Sequence, residues 1–160
     1  MEVPPWDTGP FESDEAYDDL HDLEEADDMA TALHGLMSGL DAEAHLYLGD
    51  VEGPVAAACL VACRVAGLTP DEEWAVEWLK RNPFLADATL RRLASSVLDI
   101  AMRPDDNDLY DSWRTPEARE RWLQDLDVYR GALALHTSGA GARSDSATAV
   151  RHRRSPDRTN

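Results

Sequence analysis

The residues best able to do chemistry are carboxylates and histidines, and they stand in two acidic stretches. Asp14, Asp18, His21, Asp22 and Glu25 recur at intervals of three and four, the spacing that lines side chains along one face of a helix. Asp18-x-x-His21 is loosely like half of the pattern with which helical bundles hold paired iron or manganese ions. Such a centre needs a second half and two further inward carboxylates, and no second carboxylate-x-x-His pair falls in a helical segment. These carboxylates also lie mostly off the apolar stripe of their own helix, so a solvated acidic face accounts for them. The other stretch, Pro104-Asp-Asp-Asn-Asp-Leu-Tyr-Asp111, opens as a calcium loop would, with Asp105-x-Asn107. Leu109 and Tyr110 then break the ligand pattern, and a loop leading into an acidic helix start explains the same residues. No metal and no cofactor is assigned.

Catalytic templates fail as well. The chain has no Walker-type loop, no G-x-G-x-x-G turn, no G-x-S-x-G elbow and no H-E-x-x-H helix. His34, His45 and His136 lack partners nearby in sequence that would make a general base. Cys59 and Cys63, four apart among Ala and Val, have no cation beside them to lower a thiol pKa. They read as small core residues. No catalytic residue is assigned, and the chain is not expected to be an enzyme.

The elements that must position these residues all have helical period. Ser13 is placed to cap a first helix with Asp14 and Glu15 in its opening turn, and Ala16, Leu20 and Leu23 form its inner stripe. A second helix from about Asp27 carries Met29, Leu33, Leu36 and Leu40 and stops near Gly39. Asp50 to Gly67 is apolar nearly all round, which belongs at the centre of a bundle. Thr69-Pro-Asp-Glu72 combines a capping box with proline at the first helical position. It predicts a helix bearing Trp74 and Trp78, stopped by Asn82-Pro83. Leu90, Leu93, Val97, Leu98 and Ala101 mark the next helix, and a short one holds Leu109 and Trp113. Thr115-Pro116 opens the last, with Trp122, Leu126, Tyr129 and Leu133 facing inward. No strand pattern stands out. The expected fold is a single all-α bundle of about six or seven helices, with an irregular leader over 1–12, the bundle over 13–136 and a disordered basic tail over 137–160.

Charge narrows the partners. The 160 residues carry 32 acids against 15 bases, a formal net charge of −17. The imbalance is steeper in residues 1–136, with 30 acids against 10 bases, while five arginines oppose two aspartates in 137–160. Phosphates repel such a body, so direct nucleic-acid binding by the bundle is not expected, nor is an anionic membrane. No Lys or Arg precedes Arg64, so no secretory signal is read, and Val55 to Val65 is too short and too interrupted to span a bilayer. A cytoplasmic location is the expectation.

Two stretches carry a family resemblance. Trp6-Asp-Thr-Gly9-Pro-Phe11-Glu-Ser-Asp14 resembles the N-terminal signature of the bacterial domain of unknown function 4259 family, a Trp-Gly-x-Gly-x-Phe leader followed by Asn-Asp and a helix. Asp106-Asn-Asp-Leu109-Tyr-Asp-Ser-Trp113, leading to Trp122, is similar to that family's C-terminal part. The resemblance covers about residues 5–135. Asp7 stands where the family has its first glycine, and Ser13 where it has asparagine. The physical reading of the leader is a lid, with Gly9-Pro10 turning the chain so that Trp6 and Phe11 pack on the bundle ahead of the first helix. The resemblance implies that Trp6, Gly9, Phe11, Asp14 and Trp113 are structural. It implies no activity.

The resulting expectation is a non-enzymatic acidic helical module that binds a basic protein surface through Asp18, Asp19, Asp22, Glu24 and Glu25. Inhibitors of basic toxins and nucleic-acid mimics share that physics. The alternative is a metal protein using Asp14, Asp18, His21 and Asp22, or a small-molecule binder using a tryptophan-lined groove.

Overall fold

Helix α3 (Leu48–Ala66) sets the architecture. Every residue from Gly53 to Cys63 is buried, so the helix has no face to spare for water and must be surrounded. Four helices pack around it: α1 (Asp14–Asp22), α2 (Met29–Ser38), α5 (Ala88–Ala101) and α7 (Pro116–Arg151). Ala56, Ala57, Ala58 and Ala62 line its surface, and their short side chains let those neighbours approach closely. Helices α4 (Glu73–Arg81) and α6 (Asp108–Asp111) complete the seven found among the described residues. The computed structural model describes residues 9–151, with side chains through Leu135. Trp6 therefore lies outside the described residues. The predicted disorder of the tail falls on positions whose side chains, and from 152 on whose backbone, are likewise outside them.

Several helix boundaries follow directly from side-chain chemistry. The Ser13 hydroxyl accepts from the Ala16 amide at 2.9 Å and starts α1. Asp87 does the same for α5 through Leu90 at 2.8 Å, and Thr115 for α7 through Ala118 at 3.1 Å. Each satisfies one of the amides that a helix start leaves without a partner. Gly67 ends α3 in the left-handed region at φ 71°, where glycine carries no Cβ penalty.

Two expectations need correction. Helix α4 begins at Glu73, with Glu72 as an N-cap that makes no side-chain hydrogen bond, so the Thr69–Glu72 capping box does not form. Pro70 is buried there, and the segment passes as an extended link instead of opening a helix. In α2 the fully buried pair is Leu33 and Met37, while Met29, Leu36 and Leu40 are only partly covered. That stripe is rotated because α2 packs on both α3 and α5.

Tryptophans tie the layers together. Trp78 is fully buried and donates its indole N–H to the Leu20 carbonyl at 2.8 Å, joining α4 to α1. Trp74 donates to the Phe11 carbonyl at 3.1 Å. Phe11 sits edge-on to Trp74 and to Tyr129, the favoured aromatic arrangement, so the leader is fastened to the bundle at this residue. Cys59 and Cys63 are free and buried. Burial pushes the Cys63 thiol up to about 12 and raises that of Cys59 as well.

Candidate functional site

Two concavities open along the first turns of α3. The larger is an acidic cleft of about 500 Å³. Helix α1 supplies Glu15 and Asp19, the α2–α3 loop supplies Asp41, His45 and Tyr47, and α3 supplies Asp50 and Pro54. Among the described residues its lining holds these four carboxylates and no lysine or arginine. Pro54 has no N–H, so the Asp50 carbonyl lacks its usual helical donor.

The loop wall is held by the segment 103–108 that follows α5. Leu46 makes the single β-bridge among the described residues, with Asn107. The Leu46 amide donates to the Asp106 carbonyl, and the Asp108 amide to the Leu46 carbonyl, both at 2.8 Å. Arg103 donates to four backbone carbonyls, those of Ala42, Ala44, Asp105 and Asp106. Asn107 is wholly buried. Its amide nitrogen donates to Ala101 at 2.8 Å and Arg103 at 2.9 Å, and its oxygen accepts from Leu109 and Tyr110. The side chain that sequence offers as a calcium ligand is thus a structural keystone, spent on backbone and capping α6. Asp106 beside it takes φ 52°, a conformation aspartate tolerates better than most residues.

Within the cleft the carboxylates crowd one another. Burial pushes Asp19 up to about 6, and Glu15, Asp22 and Asp18 add to the shift, Glu15 through a shared hydrogen bond as well as by repulsion. Asp19 lies directly over Gly53 of α3: a Cβ built there would fall 2.1 Å from its Oδ2 and 2.9 Å from its Cγ. Glycine inside an apolar helix is explained by that close approach.

The five residues of the predicted acidic face do not act as one face. Asp18, Asp22 and Glu25 are exposed, whereas Asp19 turns toward α3. Glu24 is taken by Arg81, whose guanidinium donates to both its oxygens at 2.7 and 3.2 Å, and that pairing holds the Glu24 carboxyl below its usual range. Asp14 is exposed in the first turn of α1. His21 stacks on Tyr17 at 4.0 Å, and its Nδ1 lies 2.8 Å from the Tyr17 carbonyl. Among the described residues no group of three or more His, Cys, Asp or Glu side chains is placed to hold a metal ion, so Asp14, Asp18, His21 and Asp22 are not drawn together as a ligand set.

The smaller concavity, about 150 Å³, lies beneath the leader. Gly9, Pro10, Glu12 and Ser13 form one side, Glu52 and Val55 of α3 another, and Leu109, Trp113 and Trp122 the third. Gly9, Leu109, Trp113 and Trp122, from the two widely separated stretches that carry the family resemblance, meet here.

Sequence reasoning missed Asp41, Asp50 and Glu52. Their neighbourhood was signalled by Gly53-Pro54 within an otherwise unbroken apolar run. It missed Arg103 too, since nothing about an arginine beside a proline foretells four carbonyl partners.

Fold and site together define an acidic all-α bundle with two concavities at its central helix. Residues 5–125 match the family described as Domain of unknown function (DUF4259), and the chain belongs to that family. No curated protein and no solved structure matches it. Among the described residues, no helix is long and apolar enough to cross a membrane.

Proposed function

We propose that the chain is a non-enzymatic binding module whose acidic cleft receives lysine or arginine side chains from a basic protein partner. The observation that carries this reading is the cleft's lining of four carboxylates without a lysine or arginine among the described residues. A cationic side chain entering it would supply counter-charge to Glu15, Asp19, Asp41 and Asp50, and would offset the burial, and behind it the repulsion from Glu15, that lifts Asp19. Exposed Asp18 and Asp22 on α1, with Glu25 in the 3-10 turn that follows it, extend the same negative field past the cleft, which speeds encounter with a basic surface. Glu24 plays a lesser part, being engaged by Arg81. Inhibition of a basic toxin or mimicry of a nucleic acid are the two roles such a surface fits.

A fluorescent oligolysine peptide tests the cleft directly. Binding should be measurable at about 50 mM salt and weaken strongly at about 500 mM, as screening shortens. Asp41→Asn with Asp50→Asn should lower affinity several-fold more than Glu117→Gln with Glu120→Gln, which removes the same charge from the exposed start of α7. Equal losses would reduce the effect to net charge and reject the cleft. Absence of binding at low salt would reject the module.

A further inference from the structure

The pocket beneath the leader differs in chemistry from the cleft. Its aromatic walls are the indoles of Trp113 and Trp122, with ring centres 5.6 Å apart and planes tilted by 36°. Val55, Leu109 and Pro10 add apolar surface, and Glu52, Ser13 and Glu12 add oxygens. A space of about 150 Å³ matches a cavity that holds one molecule the size of benzene. Nucleotides and folded segments are too large for it.

Glu52 is drawn partly out of water, and burial raises its carboxyl. The Ser13 hydroxyl supports its charged form, while Glu15, Asp14 and Asp19 oppose it. Among the described residues no lysine or arginine lines the space. An anion would meet the Glu52 carboxylate, and a neutral apolar molecule would dry it at a cost.

We propose that this pocket binds a small organic cation, an alkylammonium of about six to ten heavy atoms, with the ammonium at Glu52 beside the indoles of Trp113 and Trp122. The charge requirement comes from Glu52 and the body size from the volume. The proposal stands apart from the acidic cleft. Asp41 and Asp50 do not line this space, so the two readings fail separately.

The test is a titration of nitrogen-15-labelled protein followed at the tryptophan indole N–H resonances, with that of Trp113 identified by its loss in Trp113→Phe. The probes are 5-aminopentan-1-ol and its neutral counterpart pentane-1,5-diol, which have the same number of heavy atoms. The amine should shift the Trp113 resonance saturably and bind at least about tenfold tighter than the diol, the scale of a charge-assisted contact. Glu52→Gln should remove that advantage, while Asp41→Asn with Asp50→Asn leaves it. Nα-acetyl-lysine N-methylamide, run in parallel, distinguishes the sources. Tighter binding than the free amine assigns the site to a lysine presented by a protein, weaker binding to a free metabolite, and either supports ammonium recognition. Equal affinity for amine and diol, or an unmoved Trp113 resonance at tens of millimolar amine, overturns the proposal.

Discussion

Asp19→Asn should make the protein more stable at neutral pH. Asp19 titrates near 6 in the folded chain against an ordinary value of 3.8. The folded state therefore binds a proton more readily than the unfolded one, and stability from this group rises as pH falls from about 6 to about 4. Above that window the ionised carboxylate is a net burden. At about 1.4 kcal/mol per pH unit the interval corresponds to about 3 kcal/mol. Asp19 keeps some contact with water, so screening reduces the expected burden to about 1–2 kcal/mol. Asparagine is neutral, nearly isosteric, and can donate to Glu15 where the protonated acid did. The assay is urea unfolding of both proteins at a series of pH values. Asp19→Asn should be more stable by about 1–2 kcal/mol near pH 7, equivalent to roughly 2–8 °C in Tm, and the difference should shrink toward zero near pH 4. A variant less stable than the parent at pH 7, or a difference that ignores pH, would refute the reasoning.

Other consequences are open to the same methods. Gly53→Ala should destabilise by about 1–3 kcal/mol, since the new methyl meets Asp19 and overpacking outweighs the gain in helix propensity; adding Asp19→Ala should restore most of that loss in thermal unfolding. Asn107→Asp should cost about 2–4 kcal/mol, because a carboxylate cannot donate to the Ala101 and Arg103 carbonyls and leaves them unsatisfied. The same variant should loosen the α2–α3 loop, read as faster amide exchange at Leu46 and Asp108. Cys59 and Cys63 should resist a thiol reagent in the native protein at pH 8 and react fully in denaturant; rapid native labelling would contradict their burial.

How far the sequence reaches depends on the range of the force involved. Caps and stops are local, so Ser13, Thr115 and Asn82 mark boundaries correctly. The inner stripe of α7 is legible for the same reason, since Trp122, Leu126, Tyr129 and Leu133 are all buried. Thr69–Glu72 has the letters of a capping box, yet burial of Pro70 between α3 and α4 overrides them. Nor does α1 reveal that Asp19 faces Gly53, or that Arg81, 57 positions away, claims Glu24. The acidic character of the site is written in composition. Its shape depends on Arg103 and Asn107 fixing a loop some 60 residues away in sequence.

The central position of α3 has a consequence for how the chain is made. Two of its main neighbours, α1 and α2, precede it in sequence, but α5 and α7 come afterwards. During synthesis the apolar surface of α3 waits for Leu133 of α7, and at ordinary elongation rates that interval is roughly 3–13 s. Helix formation itself takes microseconds or less, so the nascent chain holds a finished but only partly covered helix until Leu133 is added, about two-fifths of the time needed for all 160 residues. The carboxylates concentrated ahead of Arg64 emerge first, and they give that intermediate a strong negative charge while half its core is missing. Mutual repulsion between such chains keeps them apart until α7 arrives, a service to the newborn protein that its folded surface no longer requires.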